Sequence, residues 1–310
     1  MVPTGLNFRP KGFLVNDHDD HGEIFHTKII KGKRMDQRQF QFTDQDFSHF
    51  RELVSRHTGI SLSESKRELV YGRLSRRLRA LNISKFSEYR ELLEKGEPEE
   101  LEQFSNMITT NLTAFFREKH HFDILTRELP ALKSGGANAR RLRIWSAGCS
   151  TGEEPYSIAM ALRESIPNID AWDVKILATD LDSNVLSQGK SGVYSEDRLS
   201  GVSAEQKRRW FLKGKGSNQG KVRVVPQIRE MISFRQLNLM EPWPMKGQFD
   251  AIFCRNVVIY FDKPTQTRLF SRFAEKLESE GRLFVGHSET LCKVTDRFEL
   301  LGKTVYKHAA

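Results

Sequence analysis

Hydrophobic and polar positions over residues 42–133 recur with the spacing of α-helices. The first helix should begin after Thr43, a preferred N-cap residue with Asp46 three positions later, and should end near Gly59. In the second helix, about 63–81, apolar residues three or four positions apart share one face: Val70, Leu74, Leu78 and Leu81. Further helices are predicted over 85–95, 98–111 and 117–133. The pattern therefore predicts a small N-terminal domain that is entirely helical.

The pattern changes after about residue 140, where short apolar runs typical of buried strands alternate with helical stretches. The runs are LRIWSA (142–147), VKILATD (174–180), ISFRQLN (232–238), FDAIFCRNVVIYF (249–261) and GRLFVGH (281–287). The helical stretches are 155–165, 183–189 and 264–279. This alternation predicts an α/β domain with a mostly parallel sheet over 140–310. The run TVYKH (304–308) would add a last, antiparallel strand.

Two segments depart from both patterns. Residues 1–38 are polar, contain glycines and a basic run, and predict a flexible tail. Histidines in that tail would offer metal ligands, but nothing around them indicates a rigid site, so we favour a solvated tail and expect no metal. Residues 192–231 include KGKGSNQGKVRVV, glycine-rich and then β-branched. This segment predicts a small antiparallel β subdomain inserted in the α/β domain.

The composition is that of a globular protein with a basic surface. The chain has 310 residues and a formal net charge of +9, which is compatible with a nucleic-acid partner or an acidic protein partner. No apolar run approaches the roughly 18–20 residues of a membrane span, and the first residues lack the apolar segment of a secretory signal. The three cysteines, Cys149, Cys254 and Cys292, have neither disulfide-framework nor zinc spacing. We therefore expect a cytoplasmic protein that is not inserted in a membrane.

The stretch SAGCSTGEEPYSIAM (146–160) lies at the first strand-to-helix turn of the predicted sheet, where open α/β sheets bind ligands. It matches neither GxGxxG nor GxxxxGK[ST], and Glu153 and Glu154 would repel a phosphate. A ligand that has an adenosine and a cationic group fits better. We expect both glutamates to face the amino group and the sulfonium of S-adenosylmethionine.

Other polar residues stand at the ends of later strands. Asp180 ends the second strand, where an acid can accept hydrogen bonds from ribose hydroxyls, although a plain surface acid is the alternative. Asn238 and Leu239 close the next strand, and Asn256 lies near the end of the one after it. Because parallel strands end at one edge of the sheet, these side chains should meet at a single site.

Several long stretches resemble the CheR family of chemotaxis receptor glutamate methyltransferases. They are VYGRLSRRLRAL (70–81), TTNLTAFFRE (109–118), WSAGCSTGEEPYSIAM (145–160), LATDLD (177–182), FDAIFCRNVVIYFDK (249–263) and GHSE (286–289). The resemblance extends from about residue 42 to residue 308. It implies a small N-terminal all-helical domain followed by a Rossmann-like methyltransferase domain that depends on S-adenosylmethionine and carries a small antiparallel β insertion.

The resemblance also implies an activity and a partner. The protein would be a protein-glutamate O-methyltransferase that forms glutamate methyl esters on chemoreceptors and releases S-adenosylhomocysteine. The partner would be the cytoplasmic domain of a chemoreceptor, with the chain acting as a monomer and binding no nucleic acid. A glutamate carboxylate has an ordinary pKa of about 4.3 and is ionised at neutral pH, so the reaction needs positioning rather than a general base.

The family's site residues have counterparts in this sequence. The resemblance assigns the cofactor to Asn111, Thr113, Arg117, Glu154, Asp180, Asn238, Leu239, Asn256 and Val257. It places Arg117 and Tyr260 near the reacting groups. The alternative for Arg117 is an ordinary helix-surface arginine paired with Glu118 or Asp123.

Two surfaces are candidates for receptor binding. Six basic residues and one acid, Glu68, lie between positions 66 and 79, and a basic helix suits an acidic coiled coil. The predicted docking residues are Arg73, Arg76, Arg77 and Arg79, with a merely solvated helix face as the alternative. The glycines of the β insertion, including Gly214 and Gly216, would let a C-terminal receptor tail add as a strand. A flexible hairpin loop is the alternative there.

Two rival functions remain open at the sequence level. A methyltransferase of the same fold would act on RNA or on a small molecule, although aromatic residues are not interleaved with the basic run as stacking on bases would require. A receptor-binding module without catalytic activity is the other rival. Labelled cofactor, offered with receptor fragments, would distinguish the three.

Overall fold

Five helices make up the first part of the chain in the computed structural model, which describes residues 39–132 and 140–309. From Phe40 onward these residues form one compact unit. The predicted tail, 1–38, lies outside the described residues. The helices are α1 (Asp44–Thr58), α2 (Arg67–Ala80), α3 (Phe86–Glu94), α4 (Pro98–Ile108) and α5 (His120–Leu132).

Helix α1 begins and ends where its cap residues predict. The Thr43 hydroxyl accepts a hydrogen bond from the Asp46 N–H at 3.1 Å, and the Asp46 carboxylate accepts one from the Thr43 N–H at 2.9 Å. These reciprocal bonds satisfy two N–H groups that the helix itself leaves unpaired. At the other end Gly59 has a φ of 74°, a left-handed conformation that stops the helix.

Helices α1 to α4 pack around a core of aromatic rings. The rings of Phe42 and Phe86 lie 4.7 Å apart, and Phe50, Tyr89 and Phe104 surround them. Helix α5 does not join this core but packs on the α/β domain through buried residues that include Phe122, Leu125 and Leu129. Hydrophobic packing therefore divides the chain near residue 109 rather than near 133. Helical periodicity alone does not show which core a helix joins.

A seven-stranded sheet forms the centre of the α/β domain. Its strands are β1 (Arg141–Ala147), β2 (Asp173–Asp180), β6 (Ile232–Gln236), β7 (Phe249–Cys254), β8 (Leu277–Val285), β9 (Phe298–Gly302) and β10 (Val305–His308), where β3 to β5 belong to a smaller sheet. The spatial order is β6-β2-β1-β7-β8-β10-β9. The first five are mutually parallel, and β10 pairs antiparallel with both of its neighbours. The predicted α/β class with a last antiparallel strand is confirmed; β9 was not predicted.

Helices connect the strands and cover the sheet. They are α6 (Glu153–Ser165), α7 (Ser183–Ser191), α8 (Ala204–Trp210), α9 (Pro226–Arg229) and α10 (Lys263–Lys276). Strand β7 is buried along its whole length, as expected for the centre of a covered parallel sheet. The parallel order brings the carboxyl ends of β6, β2, β1 and β7 to one edge of the sheet.

A second, smaller sheet lies within residues 192–231, where the sequence predicts an inserted β subdomain. Its strands β3 (Val193–Ser195), β5 (Lys221–Val224) and β4 (Phe211–Lys213) pair antiparallel in that order. Helix α8, which the sequence analysis did not predict, precedes β4. Across the described residues, no helix has the length and apolar character needed to traverse a membrane.

Candidate active site

A cavity of about 590 Å³ opens at the carboxyl ends of the strands, between the sheet and the helical domain. Its volume is in the range of small-molecule sites, roughly 300–1,000 Å³. All the residues predicted for cofactor binding and catalysis line it: Asn111, Thr113, Arg117, Glu154, Asp180, Asn238, Leu239, Asn256, Val257 and Tyr260. Residues more than 140 positions apart in the sequence thus meet at one site.

Asp180 is the last residue of β2 and is almost completely buried. Its carboxylate accepts a hydrogen bond from the Ser150 N–H at 2.7 Å and another from the Asp182 N–H at 3.0 Å. Burial raises the pKa of Asp180 to about 6, against the lowering effect of these N–H groups. A carboxylate has about four acceptor positions, so capacity remains for the hydroxyl pair of a ribose.

The glycine loop is the turn after β1 that contains Gly148 and Gly152. The two glutamates that follow it, Glu153 and Glu154, point in different directions. Glu154 lines the cavity, and its carboxylate accepts hydrogen bonds from the Ser146 hydroxyl at 2.7 Å and from Arg255 at 3.2 Å. Glu153 is fully buried elsewhere and pairs with Arg198. The expectation that both glutamates face the cofactor is therefore wrong for Glu153. Neighbouring residues of a helix lie about 100° apart, so the two side chains leave the helix in different directions.

Gly148 brings the backbone of the loop close to β7. It has a φ of 84°, and a Cβ atom there would lie 2.4 Å from a methyl group of Val257, so no side chain fits. The neighbouring Ser150 hydroxyl donates a hydrogen bond to the carbonyl of Asn111 at 2.8 Å. These contacts join the glycine loop to the segment after β7 and to the segment that contains Asn111, both of which line the cavity.

The segment 109–119 forms the wall on the side of the helical domain. The predicted helix 98–111 ends at Ile108, because Thr109 adopts an extended conformation, and this frees the following residues to form a loop. The Asn111 amide donates to the Asp182 carboxylate at 2.7 Å. Arg117 lines the cavity and donates to the carbonyl of Leu112 at 3.3 Å, rather than pairing with Glu118 or Asp123.

The wall after β7 is shaped by a buried carboxylate. Glu289, in the GHSE stretch, is 3% exposed. It accepts backbone N–H groups, at 2.6–3.3 Å, from Asn256, Val257, Val258, Ile259 and Gly286. Five such donors hold the turn that presents the predicted pair Asn256 and Val257, and Asn256 itself has a left-handed φ of 58°. The sequence analysis quoted this motif without assigning Glu289 a role.

Contacts with the helical domain fix two other predicted residues. The Asn238 amide donates to the carbonyl of His57 at 2.6 Å. The carbonyl of Tyr260 accepts from the Ser61 N–H at 2.7 Å. Both residues therefore lie where the end of α1 and the segment after it contact the α/β domain, and Tyr260 lines the cavity.

The four arginines of α2 have two different environments, and none lines the cavity. Arg77 donates to Glu100 and so completes a buried group with Tyr89, whose hydroxyl donates to the same carboxylate at 2.7 Å. Arg73 donates to the carbonyl of Thr109 at 2.8 Å. Arg76 and Arg79 are exposed. The guanidinium groups of Arg73 and Arg77 are engaged inside the domain, so Arg76 and Arg79 are the two exposed members of the predicted docking face.

The glycines predicted for tail binding lie in the hairpin loop between β4 and β5. A Cβ atom at Gly214 would lie 2.0 Å from the carbonyl oxygen of Asn218, so this glycine is required by its own loop. Gly216 has a φ of 58° and open space around it. The two glycines are thus explained by the loop, and the edge of β4 is the feature that would receive a tail.

Arg255 lines the cavity, and the sequence analysis did not single it out. Its guanidinium is buried between Glu154 and Glu118. Ligand atoms of Glu118, His120 and His121 lie within 4.8 Å of one another. The positive charge of Arg255, 3.4 Å from Glu118, opposes a metal ion there. We assign this group no metal.

The residues of the cavity fit S-adenosylmethionine. Asp180 offers acceptors for the ribose, and the Glu154 carboxylate offers a counter-charge for the amino group or the sulfonium. Leu239 and Val257 add apolar side chains to the lining. Asn111, Asn238 and Asn256 also line the cavity.

Comparison with known proteins agrees with this chemistry. Residues 45–109 match the all-alpha domain of CheR methyltransferase, and residues 111–307 match its SAM binding domain. Chemotaxis protein methyltransferase 2 of Pseudomonas aeruginosa is 50% identical over 277 residues, which cover 88% of this chain and 96% of that protein. The chemotaxis protein methyltransferase of Escherichia coli is 43% identical over 267 residues, covering 85% and 91%. The chain therefore belongs to the CheR methyltransferase family, and its cofactor is S-adenosylmethionine.

Proposed function

We propose that this methyltransferase transfers the methyl group of S-adenosylmethionine to glutamate side chains of chemoreceptors. The observation that carries the proposal is the single cavity lined by Glu154, Asp180 and the amides at the strand ends. The similar proteins from Pseudomonas and Escherichia are chemotaxis methyltransferases, which supports a chemoreceptor as the substrate. The finer assignment is that of a protein-glutamate O-methyltransferase.

The chain's contribution to the reaction is binding and orientation. When bound, S-adenosylmethionine supplies a methyl group already activated by the positive sulfur, and S-adenosylhomocysteine is left once a glutamate oxygen has taken that methyl group. Glu154 and Asp180 would hold the amino acid and ribose parts. The Arg117 guanidinium would orient the acceptor carboxylate, and the Tyr260 hydroxyl would hold substrate or cofactor at the mouth. Alignment of this kind can account for most of the acceleration, because both reactants are ready to react.

The receptor would approach across the mouth of the cavity. Two large apolar side chains there face solvent, Leu112 at 77% and Ile259 at 48% exposure. Exposed apolar groups beside a cavity are typical of a surface that a partner covers. The exposed Arg76 and Arg79 of α2 would attract an acidic receptor helix from longer range. We place this reaction in the cytoplasm, where the three free cysteines would remain reduced.

A receptor tail is a second element that we propose for the β subdomain. In the order β3-β5-β4, strand β4 is at the edge, and it carries Leu212 at 54% exposure. An extended peptide could add to that edge through main-chain hydrogen bonds. Titration of a receptor tail peptide into the protein by calorimetry tests the proposal; absence of heat at high peptide concentration would leave the β4–β5 segment as a plain hairpin. The chain would act as a monomer, which sedimentation can check.

Mass spectrometry of receptor peptides tests the main proposal. After incubation of purified protein with S-adenosylmethionine and a receptor cytoplasmic fragment, we expect base-labile methyl esters on glutamate residues. A fragment in which the methylated glutamates are replaced by alanine is the matched control. Methyl groups on RNA, or cofactor binding without any transfer, would instead support one of the two rival functions.

Two variants test the roles of the residues near the reacting groups. Arg117→Ala and Tyr260→Phe should lower methyl transfer while the thermal midpoint of unfolding stays nearly constant, because both side chains line the cavity rather than the core. Arg127→Ala is the control, since Arg127 is an exposed arginine on α5. Turnover equal to that of the wild type would remove either residue from the reaction.

A further inference from the structure

Arg255 joins the two sides of the cavity through one buried guanidinium. It follows β7 directly, and only 3% of its side chain is exposed. Its Nη1 donates to the Glu154 carboxylate at 3.2 Å. Its Nη2 donates to the backbone carbonyl of Arg117 and lies 3.4 Å from the Glu118 carboxylate. A rigid planar group with several donors is suited to holding such separated acceptors at once.

On one side the guanidinium fixes a carboxylate that the cofactor would contact. The Ser146 hydroxyl holds one oxygen of Glu154, and Arg255 holds the other. The Glu154 side chain thus has a single orientation before any ligand enters. Such preorganisation lowers the cost of binding because the group need not be ordered by the ligand.

On the other side the guanidinium fixes the loop that carries Arg117. Phe116 and Glu118, on either side of it, have left-handed φ values of 53° and 56°, which are unfavourable for side chains of this size. Contacts outside the loop must therefore hold it. Besides the Arg255 bonds, the carboxylate of Glu118 accepts from the N–H of His287 at 3.2 Å and contacts its ring nitrogen at 2.9 Å.

We propose that Arg255 is a positioning residue for methyl transfer. Its guanidinium holds the Glu154 carboxylate and the loop that carries Arg117 at fixed positions relative to each other, so that the methyl group of the cofactor and the acceptor carboxylate are aligned. The inference rests on the proposed function of the same cavity. It assigns Arg255 no contact with substrate. The guanidinium acts through Glu154 on cofactor binding and through the Arg117 backbone on turnover.

The positive charge of Arg255 affects the pKa of Glu154, and this effect can be measured. Burial raises the pKa of Glu154, while the positive charge of Arg255 lowers it; the nearby Glu118 carboxylate raises it further. The thiols of Cys149 and Cys254 also lie close, but burial raises their pKa well above the ordinary value and keeps them neutral. Without the guanidinium, Glu154 would take up a proton at higher pH and would lose its attraction for a cationic group there.

Two substitutions separate charge from geometry. In Arg255→Met the charge is lost, so the affinity for S-adenosylhomocysteine should begin to fall at a higher pH than in the wild type. In Arg255→Lys the charge remains, and therefore the pH midpoint of the affinity for S-adenosylhomocysteine should stay near the wild-type value. A lysine cannot hold both Glu154 and the Arg117 carbonyl, so kcat should fall about tenfold or more, as expected for small misplacements of reacting groups.

The matched control is Arg282→Met. Arg282 is another largely buried arginine of the α/β domain; it pairs with Glu128 at 2.9 Å and does not line the cavity. Its loss should lower stability without moving kcat or the pH midpoint. Circular dichroism and thermal unfolding establish that each variant is folded.

The measurements are calorimetric titration with S-adenosylhomocysteine from pH 5 to 8 and steady-state methylation of a receptor fragment. These titrations are made in the Asp180→Asn background, which removes the other carboxyl of the cavity that titrates near pH 6. In that background, equal pH midpoints with and without Arg255→Met would overturn the inference. If Arg255→Met does not fold, wild-type kcat in Arg255→Lys would overturn it. Failure of the wild-type protein itself to bind S-adenosylhomocysteine or to methylate the fragment would instead overturn the proposed function.

Discussion

The strand-end cavity and helix α2 both carry charged residues that the sequence marks as functional, yet the structure uses them differently. At the cavity, all the predicted residues line the same space, from Asn111 before the sheet to Tyr260 after β7. On α2, two consecutive arginines have separate environments: Arg77 completes a buried group with Glu100, and Arg76 faces solvent. The difference arises because the parallel topology determines where the strand ends meet. The position of a residue along a helix, in contrast, does not predict which neighbouring helix will cover its side chain.

The largest effect should come from removing the partner of Arg77. In Glu100→Ala, the Arg77 guanidinium and the Tyr89 hydroxyl lose their shared acceptor in the domain interior. Breaking a buried pair typically costs about 3–5 kcal/mol, and partial exposure of Arg77 favours the lower end. Urea unfolding would measure the loss. The control Arg76→Ala should change the free energy of unfolding by less than about 0.5 kcal/mol; equal losses in both variants would contradict the division of α2 into two kinds of arginine.

The next effect concerns the cavity. Asp180→Asn replaces a carboxylate that already accepts two backbone N–H groups and would accept the ribose hydroxyls. Hydrogen bonds to charged groups contribute about 1.5–3 kcal/mol, so the Kd for S-adenosylhomocysteine should rise roughly 10- to 100-fold. Calorimetric titration measures it, with Asp170→Asn as a control because Asp170 is exposed and remote from the cavity. An unchanged Kd would show that Asp180 serves only the loop.

Much of the cavity could be predicted from the sequence, because its chemistry lies in short motifs at strand ends. The fold constrains those positions strongly: Gly148, Asp180 and Asn256 follow buried apolar runs, and parallel strands must present their ends together. The resemblance to the family then added residues such as Thr113 and Arg117, which no strand-end argument would reach. The helix boundaries followed from caps, as at Thr43 and Gly59.

The remainder depends on contacts between residues that are far apart in sequence. Glu118 accepts from His287, 169 positions later, and Arg77 meets Glu100 on another helix. Neither pair leaves a local pattern. The direction of Glu153 was also missed, because whether an acid faces a cavity or an arginine of the β subdomain depends on where Arg198 lies. The elements α8 and β9 are short, so their apolar residues do not repeat often enough to reveal a helix or a strand.

A pH titration would sharpen the role of the cavity's acids. Because burial raises the pKa of Asp180 to about 6, this residue gains a proton as the pH falls from 7 to 5. The protonated form is a poorer acceptor, so affinity for S-adenosylhomocysteine should fall by up to about tenfold per pH unit below that value. The sign for folding is opposite: a carboxyl whose pKa is raised in the native state favours the folded protein at low pH and loses this contribution as the pH rises through 6.

The Asp180→Asn variant tests both pH effects, the one on cofactor affinity and the one on folding stability. It cannot titrate at this position, so its affinity should depend less on pH than that of the wild type, and calorimetry between pH 5 and 8 compares them. Identical pH profiles would assign the dependence to Glu154 or to another group. The difference in unfolding free energy between wild type and variant should meanwhile shift in favour of the wild type as the pH falls.

The smallest effect should come from the exposed cations of α2. Arg76→Glu and Arg79→Glu should each raise the KM for a receptor fragment roughly two- to fivefold, since exposed charge pairs contribute about 0.2–1 kcal/mol, and kcat should stay constant. The increase should shrink in high salt, because screening weakens attraction between exposed charges. Arg208→Glu, the same reversal on exposed α8, is the control. Reversal of Arg77 would be uninformative here, because a glutamate beside Glu100 would destabilise the domain. An equal KM in the Arg76, Arg79 and Arg208 variants would show that α2 contributes only its general charge.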